Sequence, residues 1–339
     1  MRHPIPPSLT RREALRLFAL AAGSSGLPLA GGEAAATGQT RTLELTWHDE
    51  KRQRDVPAKL YLPAEPAGDS RWPIVLFSHG LGGSRHGYSY LGEAWSAVGY
   101  LSVHVQHAGS DSAALRGTRP LEALRAAAAD PSNIVNRPLD IQFAIDQLTL
   151  ANTADASPLK NRLDLERIGV AGHSFGAFTT MAIAGQGFGP LAASRAPRLS
   201  DPRVKAAIAM STPAPRIGNG DGYASVKIPV FHMTGTQDTD PAGGATDPAQ
   251  RRIPYDRSTS APAWLLTFQD GDHMVFAGRS TRLSAIQSNV IRLLIQRASQ
   301  LFWDARLRDD AASLRALTDG TLEKEIGRAG RLEHREAGA

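Results

Sequence analysis

One pentapeptide constrains this chain more than any other stretch. Residues 172–176 have the sequence Gly-His-Ser-Phe-Gly, which is the pattern G-x-S-x-G. Residues 168–171 before it form an apolar, partly β-branched run typical of a buried strand, and residues 177–184 after it suit a helix. In such a strand–turn–helix context the two glycines let strand and helix approach closely around a strained serine. The pattern predicts that Ser174 is a nucleophile held at the top of a sheet.

Two later residues could complete a serine–histidine–acid triad, and they follow Ser174 in the order acid, then histidine. Asp238 comes shortly after an apolar strand predicted at 228–234, where a carboxylate is well placed to orient a histidine. Asp240 is the alternative acid. His273 lies on the loop after the last predicted strand, where a triad histidine belongs, and we expect it to act as the general base.

A glycine-rich loop at residues 78–84 follows a continuous apolar run at 72–77. The run predicts a strand that is buried on both faces. Glycines after such a strand let the backbone turn its N–H groups toward a substrate carbonyl, where negative charge develops during attack. We expect the N–H groups of Leu81 and of Phe175, the residue after the nucleophile, to form an oxyanion hole.

Composition excludes several other kinds of chemistry. The 339 residues include no cysteine, so disulfides, a thiolate nucleophile and a cysteine-ligated zinc are all excluded. The formal charge of +5 is spread along the chain and predicts no nucleic-acid surface.

His104, His107 and Asp111 resemble a metal-ligand cluster, but positions 104 and 107 face opposite ways on a strand. We therefore expect neither a metal nor a cofactor.

The N-terminus, residues 1–36, resembles a bacterial twin-arginine signal peptide. Arg11 and Arg12 precede a weakly apolar stretch at 17–30, and Ala34–Ala36 offers an A-x-A-like cleavage site. The apolar stretch is too short and too interrupted to span a membrane. The alternative is an amphipathic or disordered N-terminal segment. The sequence predicts export to the periplasm or the medium.

Residues 37–326 alternate strands with helices and predict a single α/β domain. The central sheet is expected to be mostly parallel, with helices on both faces. Residues 41–63 predict an antiparallel hairpin at one sheet edge. Strands predicted at 204–210 and 228–234 lie too close in sequence for a large lid domain between them.

Two segments show weaker patterns. Residues 112–133 are rich in alanine and arginine with little periodicity, and we expect a mobile flap over the pocket. Residues 327–339 are polar, and we expect a disordered tail.

Together these features resemble the α/β-hydrolase fold over about residues 41–305. Within that superfamily the chain resembles bacterial predicted dienelactone hydrolases, platelet-activating-factor acetylhydrolases, chlorophyllases and cutinase-like polyesterases. The resemblance is carried by four stretches, residues 78–83, 172–176, 235–238 and 272–273. True dienelactone hydrolases use a cysteine nucleophile, which this chain lacks, so the resemblance implies serine ester hydrolysis. It also implies a small-molecule or lipid-like ester substrate and no cofactor. Separately, we expect a monomer.

Three alternatives stay open at the level of sequence. An acyltransferase would use the same acyl-enzyme and pass the acyl group to an alcohol instead of water. A peptidase would use the same triad on amides. A non-catalytic binding protein on this fold would require a decayed triad, whereas every triad position here is filled.

Overall fold

We describe a computed structural model of the chain, which covers residues 40–65, 68, 70–115, 120–188, 198–214, 220–239 and 247–338. The predicted signal peptide and the alternative acid Asp240 lie outside the described residues. Within them the strands join one nine-stranded sheet in the order β1-β2-β4-β3-β5-β6-β7-β8-β9. The strands are β1 Arg41–Asp49, β2 Arg54–Leu62, β3 Trp72–Ser78, β4 Leu101–Val105, β5 Leu163–His173, β6 Val204–Met210, β7 Val230–Gln237, β8 Ala263–Asp272 and β9 Gly330–Arg335.

The six strands from β4 through β8 in sheet order run parallel, and strands at both edges are antiparallel. The hairpin β1–β2 forms one edge, as the sequence predicts, and β2 pairs with β4. The carboxyl ends of the parallel strands therefore meet at one edge of the sheet, which is where a site is expected in this architecture.

Helices cover both faces of the sheet, and the parallel strands are therefore buried on both sides. In β3, Val75 and Phe77 pack into the core under one helical layer, while Ile74 and Leu76 pack into the core on the opposite face. The α-helices are α1 Ser89–Ala97, α2 Pro120–Ala129, α3 Pro131–Ala151, α4 Phe175–Ile183, α5 Ile253–Arg257, α6 Ala285–Leu307, α7 Ala311–Thr318 and α8 Thr321–Ile326.

Helices α1 and α6 contribute to the first core, and α3 contributes to the second. The predicted α/β-hydrolase fold is confirmed by this arrangement. Among the described helices, none combines the length and the apolar character that crossing a bilayer requires.

Two expectations about irregular segments are corrected. Residues 330–335, expected to lie in a disordered tail, form β9 and pair antiparallel with β8. The period-two pattern there is short and mostly charged, so the strand depends on the neighbouring edge of β8.

Residues 120–129, expected to belong to an irregular flap, form α2. Helix α3 begins at Pro131, inside the segment expected to form the flap, and the Asp130 side chain caps it by accepting a hydrogen bond from Ser132 N–H.

Candidate active site

Ser174 sits between β5 and α4 in a backbone conformation that L-residues rarely adopt, with φ 57° and ψ −119°. The turn is tight enough to demand glycine on both sides. A Cβ on Gly172 would lie 2.3 Å from the carbonyl oxygen of Gly176. A Cβ on Gly176 would lie 1.9 Å from the carbonyl oxygen of Ser78. Since both obstacles are backbone atoms, neither can move aside, and the pattern G-x-S-x-G follows directly from this packing.

His273 begins a short 3₁₀ helix directly after β8 and contacts both other predicted triad residues. Its Nε2 lies 2.9 Å from Ser174 Oγ, and its Nδ1 lies 2.9 Å from Asp238 Oδ1. Asp272 fixes the start of this turn by accepting a hydrogen bond from Met274 N–H at 3.0 Å. The structure thus brings Ser174, His273 and Asp238 into one chain of hydrogen bonds.

Asp238 is completely buried just past the end of β7. Thr234 donates a hydrogen bond to its Oδ2 at 2.9 Å, and the guanidinium of Arg251 lies 3.5 Å from its Oδ1. Burial alone would raise the pKa of Asp238, but the hydrogen bond from His273 and the charge of Arg251 outweigh it and lower the pKa. The carboxylate is therefore ionised at neutral pH.

Ser211 is a member of this site that the sequence analysis missed. It follows β6, and its hydroxyl lies 2.8 Å from Asp238 Oδ1 and 2.8 Å from His273 Nδ1. Thr234 and Arg251 were also missed. A serine directly after a predicted parallel strand was the available signal for Ser211, since the ends of neighbouring strands converge at the same edge.

The two expected oxyanion donors come from different elements. Phe175 is the first residue of α4, so its N–H lies before the first intrahelical hydrogen bond. Leu81 lies in the turn of the glycine-rich loop, where Gly82 N–H donates to Ser110 and Gly83 N–H donates to Gly80. Among the described residues, no acceptor engages the N–H of Leu81 or of Phe175. Both groups are therefore free to donate to a substrate oxygen.

His173, the variable residue before the serine, links the two halves of the site. Its Nε2–H donates to the carbonyl oxygen of His273 at 2.9 Å, and its Nδ1 accepts from the Tyr88 hydroxyl at 2.8 Å. Gly80 N–H in the glycine-rich loop approaches the same Tyr88 oxygen at 3.4 Å. Burial places the pKa of His173 well below its ordinary value, so the ring is neutral and this hydrogen-bond pattern is stable at neutral pH.

A row of aromatic rings leads away from the residue after Ser174. The Phe175 and Phe178 ring centroids are 5.9 Å apart, and those of Phe178 and Phe188 are 5.6 Å apart. Phe188 is partly exposed to solvent. The row provides an apolar surface beginning at the nucleophile.

The residues considered for a metal site lie in different surroundings. His104 Nδ1–H donates to the carbonyl oxygen of Gly87, whereas His107 Nδ1–H donates to Asp140. Within the described part of the chain, no group of three or more histidine or acidic side chains is arranged to hold a metal ion.

Comparisons with known proteins match the part of the chain that contains the glycine-rich loop. The family model of platelet-activating factor acetylhydrolase, isoform II, matches residues 37–134. The nine-stranded, mostly parallel sheet with helices on both faces is the α/β-hydrolase fold. A curated relative, the platelet-activating factor acetylhydrolase of Cavia porcellus, is 26% identical to this chain over 162 residues. That alignment covers 37% of this chain and 34% of the relative, so the chain spans about one third of the relative's length.

The region that the family model matches includes the glycine-rich loop but ends before the predicted nucleophile. Ser174, Asp238 and His273 all lie beyond residue 134. The roles of these three residues therefore rest on their positions in the fold and on the distances between them.

Proposed function

We propose that this protein is a serine esterase that hydrolyses carboxylic esters through an acyl-enzyme intermediate. The observation that carries the proposal is the continuous hydrogen-bonded chain from Ser174 Oγ through the His273 ring to the buried Asp238 carboxylate. A serine joined to a base that is itself oriented by a third group is the arrangement that activates a hydroxyl for nucleophilic attack.

In the proposed reaction, His273 Nε2 takes the proton of Ser174 as Oγ attacks the ester carbonyl carbon. Asp238 accepts from Nδ1–H, which holds the proton on that nitrogen and stabilises the imidazolium. The N–H groups of Leu81 and Phe175 donate to the oxyanion of the tetrahedral intermediate. The imidazolium then protonates the departing alkoxide. Water, deprotonated by His273, then attacks the acyl-enzyme. The acid is released as the bond to Ser174 Oγ breaks, and the imidazolium returns its proton to Ser174 Oγ.

The substrate class is proposed from two observations. The curated relative is named for an acetylhydrolase of platelet-activating factor, and the aromatic row from Phe175 to Phe188 offers an apolar surface beside Ser174. A small or lipid-like ester, with an apolar part lying along these rings, fits both. Export is proposed from the signal-like residues 1–36.

The test is hydrolysis of p-nitrophenyl esters from acetyl to palmitoyl by the mature chain, with Ser174→Ala as the control. We expect hydrolysis by the wild type and its loss in the variant. Activity that persists in Ser174→Ala would refute the proposal. A peak at short acyl chains would indicate a closed acyl pocket, and sustained activity on long chains would indicate an open groove.

Two added reactions separate the alternatives. An acyltransferase would give mainly the new ester when a competing alcohol is present. A peptidase would cleave the amide of the same acid faster than the ester. We expect free acid as the main product and ester cleavage as the faster reaction.

A further inference from the structure

Arg137 is a completely buried cation on α3, beneath the glycine-rich loop. Among the described residues, its guanidinium donates only to neutral oxygens: to Thr179 Oγ1 at 3.0 Å, Ser110 Oγ at 2.8 Å, Ser78 Oγ at 3.1 Å and the carbonyl oxygen of His79. Burying a charge without an opposite charge in contact costs folding free energy. A buried arginine at this position therefore suggests a functional role.

The guanidinium contacts both halves of the expected oxyanion hole. The His79 carbonyl that it binds lies two residues before Leu81, the first expected donor. Its Cζ also lies 4.5 Å from the ring centroid of Phe175, whose N–H is the second expected donor. The planar guanidinium therefore bridges the loop, through the His79 carbonyl, and the start of α4, through Thr179 and the Phe175 ring.

A second buried serine–histidine–aspartate chain fixes one of the Arg137 acceptors. Ser78 donates to His107 Nε2 at 2.9 Å, and His107 Nδ1–H donates to Asp140 Oδ2 at 3.1 Å. All three residues have no solvent exposure, so this chain is closed to any substrate. Because the Ser78 proton points at His107, the lone pairs of Ser78 Oγ are left for Arg137.

The charge of Asp140 does not reach Arg137 through a direct contact. Asp140 pairs instead with Arg52 at 2.7 Å and Arg54 at 3.0 Å. Burial lowers the pKa of Arg137 to about 9, which still leaves the guanidinium charged at neutral pH. A positive charge thus lies behind the loop, and no carboxylate in the described part of the chain forms a hydrogen bond or ion pair with it.

We propose that Arg137 is a positioning residue for the oxyanion hole: it fixes the Leu81 and Phe175 donors and places a positive charge behind them. The inference rests on the proposed esterase function. It predicts that Arg137 acts on the transition state more than on bound substrate, because the oxyanion exists only after Ser174 attacks.

The test compares Arg137→Met and Arg137→Lys with wild type, using a p-nitrophenyl ester and an alkyl trifluoromethyl ketone. Ser174 Oγ adds to the ketone carbon, the carbonyl electron pair becomes the oxyanion, and His273 keeps the serine proton. The methionine variant removes the charge, and the lysine variant keeps a charge but cannot form the four-acceptor fork. Rates are normalised to the fraction of sites titrated by a fluorophosphonate.

For Arg137→Met we expect kcat to fall about tenfold to a hundredfold, less than the ~10²–10³-fold loss of a direct oxyanion donor. KM should stay within about twofold of wild type, as expected when the lost interaction is made only in the transition state. The inhibition constant of the ketone should rise by the factor by which kcat/KM falls. Arg137→Lys should show a smaller fall in kcat and a smaller rise in the ketone inhibition constant, again with KM unchanged. If the methionine variant does not fold, the lysine variant is used for the test.

Arg308→Met is the control for removing an arginine elsewhere. Arg308 also donates to a backbone carbonyl and lies over a ring, that of Tyr100, but it is partly exposed and pairs with Asp304 away from the site. It should lose stability without changing kcat or ketone inhibition. A folded Arg137 variant with wild-type kcat and ketone inhibition would overturn the inference, as would a change in KM alone. Those results would leave the esterase proposal standing, whereas an inactive wild type would refute the esterase proposal itself.

Discussion

The Ser211 hydroxyl lies 2.8 Å from Asp238 Oδ1, and it is held there by the backbone. Ser211 has a positive φ of 52°, and its N–H donates to the carbonyl oxygen of Met233 at 2.7 Å. The hydroxyl lies at the same distance from His273 Nδ1, so it closes a triangle with the histidine and the acid. This third contact restricts both side chains to one relative orientation.

Removing that hydroxyl should loosen the His273–Asp238 pair. We expect Ser211→Ala to lower kcat about tenfold, since a hydrogen bond to a charged group contributes about 1.5–3 kcal/mol. Ser299→Ala is a matched control, because Ser299 is equally buried and accepts from Trp95 Nε1 away from the site. Steady-state kinetics of both variants check the prediction. Equal kcat values for Ser211→Ala and Ser299→Ala would show that the Ser211 hydroxyl does not contribute to catalysis.

Asp238 should be the acid of the triad. We expect Asp238→Asn to lower kcat by about 10⁴-fold, because an amide would favour the wrong histidine tautomer. Asp240→Asn should change kcat by less than about threefold, since no transition-state interaction is assigned to it. The comparison uses the same ester for both variants. The reverse order of effects would move the role to Asp240.

The backbone strain at Ser174 should be measurable as stability. Ser174→Gly removes the Cβ from a conformation with φ 57° and should raise the free energy of unfolding by roughly 1–3 kcal/mol relative to Ser174→Ala. Both variants lack the nucleophile, so both should be inactive. Urea denaturation of the pair provides the measurement. A glycine variant no more stable than the alanine variant would mean that this turn stores no strain.

Stability should fall as the pH drops below about 6.5. Five buried histidines have pKa values that burial lowers, so they stay neutral in the folded protein but gain protons when it unfolds. They are His79, His104, His107, His173 and His232. Each removes about 1.4 kcal/mol of stability per pH unit below about 6.5.

The acidic residues add two smaller effects to this pH dependence. The lowered pKa of Asp238 acts in the same direction below about pH 4, and the raised pKa of Asp140 opposes the trend. Urea denaturation midpoints at pH 8, 6 and 5 test whether the protein becomes less stable as the pH falls. Equal midpoints at pH 8 and pH 5 would contradict it.

Much of the fold could be predicted because its signals are local. The strand–turn–helix around Ser174 carries its own glycines, and β3 is a continuous apolar run. Strand β9 could not be predicted, because its charged residues pair only once β8 presents a free edge. Helix α2 was missed because its alanines show no apolar stripe.

The residues of the site also divide into those that the sequence could predict and those that it could not. Ser174, Asp238 and His273 follow strands that the sequence reveals, so their proximity could be expected. Ser211 and Arg137 have no motif of their own. Their contacts depend on the register between β6 and β7 and on how α3 packs under the loop, which arise only in the folded chain.

The central claim is that Ser174 is the nucleophile, and covalent labelling with a fluorophosphonate tests it most directly. Ser174 Oγ would form a bond to phosphorus, fluoride would leave, and His273 would take the proton. The account predicts one adduct per chain, mapped by mass spectrometry to Ser174, with esterase activity lost in proportion to labelling. An adduct at another residue, or full activity with Ser174 fully labelled, would contradict it.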